Sequence, residues 1–434
     1  MKIQTTTKDW HGCRNAILFI LILIASTGCK KTEMPDTQEE IISPTTGSRF
    51  EFTLDSIYLY AKQIYLWNDV LPSYQDFAPR QKYSSVHPEI NAFKSELFDF
   101  SQLKLNSETG APYEFSGYQQ SSKYSYLQFG TTQSGTMQAG LASGEAILSK
   151  RIIQSSDKTI AYLALGSFPS LNNVKSKLNK AFDELAEAHP KYLILDLRSN
   201  GGGYVETAEF VANLIVPNKL NGKVMYSEQF NATLQAGNTK ILRHQPYLDA
   251  MGKSVTYKGR AATLADVDYS EKGNTYHFEK KGNLESIEEI YVIVSGQTAS
   301  ASELLISCLK PYFNLKLVGE RTYGKPVGFF GINIDQYTMY LSSFLIKNAQ
   351  GWSDYFTGME PNIPVVIPVN PIIGDPEELC FKTTLSVING TFKLSSQAKL
   401  ADISKRQSIQ QQSASEDNNN LGAIENRLKL EKVM

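Results

Sequence analysis

Ile290-Tyr-Val-Ile-Val-Ser-Gly296 leads into Thr298-Ala-Ser-Ala-Ser-Glu303, and the reading of the chain starts there. The first stretch is a short apolar run of the kind that forms a buried strand. The second puts Ser300 at the mouth of an apolar helix that runs to Leu309. A second strand follows at Leu315–Val318, and Gly324-Lys325-Pro326 then makes a tight turn. Upstream, Tyr192-Leu-Ile-Leu-Asp-Leu-Arg-Ser-Asn-Gly-Gly-Gly203 gives another nearly continuous apolar strand, which ends in glycines ahead of a helix. Strand, serine, helix, strand and lysine turn, in that order, are the layout a Ser-Lys hydrolase needs.

A serine hydroxyl is a weak nucleophile until a base takes its proton. The chain has five histidines, His11, His87, His189, His244 and His277, and none stands at a recognisable strand end. Lysine serves instead if burial keeps it neutral. Lys325 has Val327, Phe329 and Phe330 for neighbours, although most Gly-Lys pairs are surface turns. At a helix start the Ala301 amide points outward, where the helix dipole favours negative charge. Ser300 and Ser302 also suit helix capping, and Glu303 suits a first turn on electrostatic grounds alone. The Gly201–Gly203 run lets backbone N–H groups approach a ligand. It lacks both the G-x-G-x-x-G spacing and a Gly-Lys-Ser/Thr ending, which weakens a nucleotide reading. Asp196, Arg198 and Asn200 are expected to brace this loop.

Working outward, helical spacing of Leu54, Ile57, Tyr58, Ala61 and Ile64 predicts an N-terminal helical region over 50–110, with Pro88 opening a second helix. Residues 111–157 read as a linker with short strands. The core is expected over 158–385. Strand Ile160–Leu165 begins it, a helix carrying Leu178, Phe182 and Leu185 follows, and a polar excursion occupies 218–289. Strands alternating with helices make an α/β fold with crossover helices. Residues 386–434 turn polar, with the low-complexity run 407–420, and are expected to be disordered. The net charge of -1 gives no general case for nucleic acid. The cysteines Cys13, Cys29, Cys308 and Cys380 form no C-x-x-C pair, so no structural metal is expected.

Lys8 and Arg14 precede the apolar run Ala16–Ala25, and small residues lead into Cys29. The segment 1–28 resembles a bacterial lipoprotein signal in which Cys29 is lipidated, with Ser26 where leucine is usual. A plain secretory signal is the other reading. Residues 29–49 then form a polar tether.

The three motifs together resemble the C-terminal processing (tail-specific) serine peptidases, whose core is related to the ClpP and crotonase folds. Weaker likeness extends over Leu54–Trp67, Ile160–Phe168 and Gly358–Pro364. The resemblance implies Ser300 as nucleophile, Lys325 as general base, and the amides of Gly202 and Ala301 as oxyanion donors. It implies protein or peptide substrates and no metal or cofactor. With the signal, it implies a lipid-anchored protein of the bacterial envelope, facing the periplasm or the cell surface. Two departures stand out. Phe329 occupies a position where many members carry glutamine. The usual PDZ insertion, about 80 residues, is too long for the space between Gly117 and Lys158. Two other readings remain open. One is a non-catalytic lipoprotein that keeps the fold to bind peptides or glycans. The other is a crotonase-like thioester hydrolase, which fits the signal badly.

Overall fold

The strand Tyr192–Asp196 lies inside a six-stranded sheet in the computed structural model, which describes residues 43–118, 120–131, 145–249, 252–392 and 428–432. The order across the sheet is Ile363–Pro364, Asn314–Gly319, Glu289–Val294, Tyr192–Asp196, Lys158–Leu165 and Ile147–Ser155. The first five are parallel, and Ile147–Ser155 pairs antiparallel at one edge. Helices Leu171–Ala186 and Ala301–Leu309 each connect neighbouring parallel strands, which is the crossover that the alternating pattern predicts. Both sheet faces are buried, which explains the continuous apolar runs. Leu193, Leu195 and Val292 enter the larger core with Leu178, Phe182, Val211 and Leu305. Ile194, Tyr291, Ile293 and Val318 enter a second core with Cys380, Phe381 and Ile388.

The N-terminal region is helical, with helices Arg49–Ile64 and Glu89–Ser101 as its main members. Ser48 caps the first: its side chain accepts the Glu51 N–H, and the Glu51 carboxylate accepts the Ser48 N–H. Among the described residues two larger antiparallel sheets and one two-stranded pair, Thr256–Tyr257 with Arg260–Ala261, complete the fold. One of the larger sheets holds Val327–Gly328, Phe344–Asn348, Val224–Phe230 and Thr275–His277; the other holds Tyr126–Phe129, Tyr337–Tyr340 and Gly331–Ile334.

Three sequence boundaries differ from the structure. The central sheet starts at Ile147, ahead of the expected 158. Ile147–Ser155 is an edge strand that mixes half-buried and exposed residues with no buried one, so it carries no apolar run to betray it. Residues 218–289 are less an excursion than expected, because Val224–Phe230 sits between two partners in the four-stranded sheet. The expected disordered tail begins inside helix Leu379–Ile388. Glu378 caps that helix by accepting the Phe381 N–H at 3.0 Å, and Phe381 stacks on Tyr162 at 4.0 Å. Further on, Leu430 bridges to Val267. Cys29 and the 407–420 run lie outside the described residues.

Candidate active site

The three sequence motifs lie beyond the carboxyl ends of three adjacent parallel strands, Tyr192–Asp196, Glu289–Val294 and Asn314–Gly319. That is where open α/β sheets place their ligands. Ser300 is the residue before helix Ala301–Leu309, and it is 4% exposed. Its φ of 56° lies in the left-handed region, so a non-glycine residue there carries backbone strain held by its surroundings.

Glu303 supplies much of that holding. Its Oε2 accepts the Ser300 N–H at 3.1 Å and the Lys325 N–H at 2.9 Å. Sharing one oxygen, the two backbone nitrogens lie at most about 6 Å apart. Its Oε1 accepts the Gly324 N–H at 2.7 Å and the Thr322 hydroxyl at 2.6 Å. Burial holds the Glu303 carboxyl above the usual carboxylate range, against the pull of these four donors. In the sequence this residue reads only as a first-turn acid. Its spacing to Ser300 was legible; its reach to the lysine turn was not.

Lys325 is not a surface turn residue. It is 4% exposed, and burial pulls its amine down to about 7, against the opposing charges of Glu303 and Glu114. Its Nζ lies 4.6 Å from the centre of the Phe329 ring, so the phenylalanine that stands where many members of the resembled family carry glutamine faces the Lys325 amine directly. Gly324, with φ of 88°, makes the turn possible: a Cβ there would lie 2.4 Å from the Gly358 nitrogen. The Tyr323 N–H donates to the Thr298 carbonyl at 3.0 Å, which ties the turn to the Ser300 strand end.

The glycine loop abuts the serine. A Cβ on Gly202 would lie 2.9 Å from the Ala299 carbonyl and 3.1 Å from both the Ala301 nitrogen and the Ser300 Cβ. Gly202 and Ala301 are therefore brought together as expected. The Gly202 N–H, however, donates to Asn200 Oδ1 at 2.9 Å, so in this arrangement it is engaged within its own loop. Asn200 also accepts the Ser302 hydroxyl on its backbone carbonyl at 3.0 Å, and Ser302 thereby joins the helix start to the loop. Asp196 and Arg198 brace the loop from below. The Arg198 guanidinium pairs with Asp196 at 2.7 Å and with Glu378 at 2.8 Å, all three buried. Glu378 was invisible as a partner, being 180 residues away. The four described histidines are all exposed, so none of them stands as a buried base.

Residues 159–365 match the family described as Peptidase family S41. This part of the chain is a peptidase family S41 domain. Over 166 residues the chain is 28% identical to the chloroplastic C-terminal processing peptidase of Tetradesmus obliquus. That stretch covers 38% of this chain and 26% of that protein, so the match spans about a quarter of the relative's length. Among solved structures, the chain is similar to a putative S41 protease from Bacteroides fragilis, with 17% identity and a TM-score of 0.48 over 78% of this chain and 98% of that one. It is also similar to a photosystem II D1 C-terminal processing protease, with 15% identity and a TM-score of 0.43 over 75% and 96%.

Proposed function

We propose that this chain is an envelope serine endopeptidase that hydrolyses protein or peptide substrates with a Ser300–Lys325 dyad. Neutral Lys325 accepts the Ser300 hydroxyl proton as Oγ attacks the scissile carbonyl. The Ala301 N–H stabilises the oxyanion, joined by the Gly202 N–H once the Asn200 side chain releases it. Lys325 then returns the proton to the departing amine, leaving an acyl-enzyme. Water attacks the ester, Lys325 takes its proton, and Ser300 is restored with release of the new carboxylate.

The observation that carries this reading is the Glu303 oxygen shared by the backbones of Ser300 and Lys325, beside a lysine that burial drives toward neutrality. The same reading anchors the protein through a lipid on Cys29, supported by the basic, apolar and small-residue segments ahead of it. The test is hydrolysis of an unfolded protein substrate by the full chain. Ser300→Ala and Lys325→Arg should both be inactive, because guanidinium stays protonated. An active Lys325→Arg enzyme would overturn the dyad.

A further inference from the structure

Lys123 and Tyr124 belong to the stretch that reads as a linker with short strands in the sequence, yet both side chains end on the turn that carries Lys325. The Lys123 Nζ donates to the Tyr323 carbonyl at 3.1 Å and to the Phe356 carbonyl at 2.6 Å. The Tyr323 hydroxyl donates back to the Lys123 carbonyl at 3.3 Å. The Tyr124 hydroxyl donates to the Gly324 carbonyl at 2.6 Å. The Lys123 ammonium also faces the rings of Tyr124 and Tyr323, at 5.3 and 5.0 Å.

The turn is thus gripped from two sides. Glu303 holds the N–H groups of Gly324 and Lys325. Lys123 and Tyr124 hold the carbonyls of Tyr323 and Gly324, the two residues just ahead of Lys325. Water would satisfy such carbonyls on an open surface at little cost. Here the donor is the ammonium of a half-buried lysine set against two carbonyls and two aromatic rings, and taking an ammonium even partly out of water is costly. Burial pulls it down to about 8, with Glu303 pulling the other way.

We propose that Lys123 is a positioning residue for the catalytic lysine: with Tyr124, it fixes the Tyr323–Lys325 turn in the conformation that delivers the Lys325 amine to Ser300. The proposal rests on the Ser-Lys reading above. It makes the short segment between the N-terminal helices and the sheet a working part of the active site. Peptide-bond chemistry is unchanged by it; Lys123 touches neither substrate nor the reacting atoms.

The experiment uses the full chain and reads three quantities: the rate of covalent labelling by a small fluorophosphonate, kcat and KM on one peptide, and the thermal midpoint. Wild type must first label on Ser300; a wild type inert to the probe sinks the dyad, and this inference with it. Given a reactive wild type, Lys123→Met should lower labelling rate and kcat roughly ten- to a hundredfold, with KM nearly unchanged. Lys123→Arg can reach both carbonyls and should recover most of that loss. If Lys123→Met does not fold, Tyr124→Phe, which removes one hydroxyl, should lower kcat in the same selective way. Wild-type kcat and labelling in Lys123→Met would overturn the positioning role while leaving the dyad intact. So would a loss of activity in both Lys123 variants that merely tracks a falling thermal midpoint.

Discussion

In the proposed dyad Lys325 carries the proton transfer, and its environment fixes a direction that can be measured. Its amine falls from an ordinary 10.5 to about 7 because it is buried. As the proposed base Lys325 works only when neutral, so kcat/KM should rise with pH and level off above about 7. Stability has its own sign. Between about 7 and 10.5 the unfolded chain binds the proton that the folded one has lost, so stability rises with pH across that window. Below it the folded state carries the full cost of a buried ammonium. Lys325→Met removes that cost. The variant should therefore be more stable than wild type by about 1–3 kcal/mol at pH 6, with the gain shrinking toward pH 10. Urea unfolding at several pH values checks it; a constant difference would mean the lysine is not protonated and buried as described. Glu303 gives the second residue-scale outcome. Glu303→Gln replaces one acceptor oxygen with an NH₂ that faces N–H donors, so it should cost about 2–4 kcal/mol and most of the activity. A fully active Glu303→Gln enzyme would show that the shared carboxylate does not organise the site.

Among the elements, those that pack by a regular period were legible, and those held by distant partners were not. The strands at Tyr192 and Ile290 read as apolar runs because helices or a second core cover both faces. Helix Arg49–Ile64 read through its spaced apolar residues, nearly all of them buried. The edge strand Ile147–Ser155 shows neither an apolar run nor a strict alternation, and so passed as linker. Tyr126–Phe129 falls where short strands were expected, but its place and pairing were not legible, because its partner Tyr337–Tyr340 lies more than 200 residues on. The site followed the same rule. Ser300, Lys325, Gly202 and Ala301 announce themselves in short motifs, whereas Lys123, Tyr124 and Glu378 reach the site only through the fold. Glu378 sets a prediction for its element. It caps helix Leu379–Ile388 and pairs with buried Arg198, so Glu378→Ala leaves both a bare helix end and a less-compensated guanidinium. The expected loss is about 3–5 kcal/mol, read as a lower midpoint in denaturant. A loss below about 1 kcal/mol would mean that the helix is only loosely joined to the glycine loop.

Over the whole molecule, the described strands on either side of residues 132–144 are spent on the core. Tyr126–Phe129 joins one antiparallel sheet and Ile147–Ser155 joins the central one. The segment where a PDZ insertion was sought instead delivers Lys123 and Tyr124 to the lysine turn. The proposed lipid anchor on Cys29 makes location a separate question with its own test. Cys29→Ser should move the protein from the membrane fraction to the soluble one; wild type that is already soluble, with a different mature N-terminus, would favour plain secretion.

The central claim is that Ser300, activated by Lys325, is the nucleophile. Its most direct test is to label the full chain with a fluorophosphonate and map the adduct by peptide mass. The account predicts a single adduct on Ser300, absent from Ser300→Ala and strongly slowed in Lys325→Met. An adduct on Ser302, or equal labelling of wild type and Ser300→Ala, would contradict it.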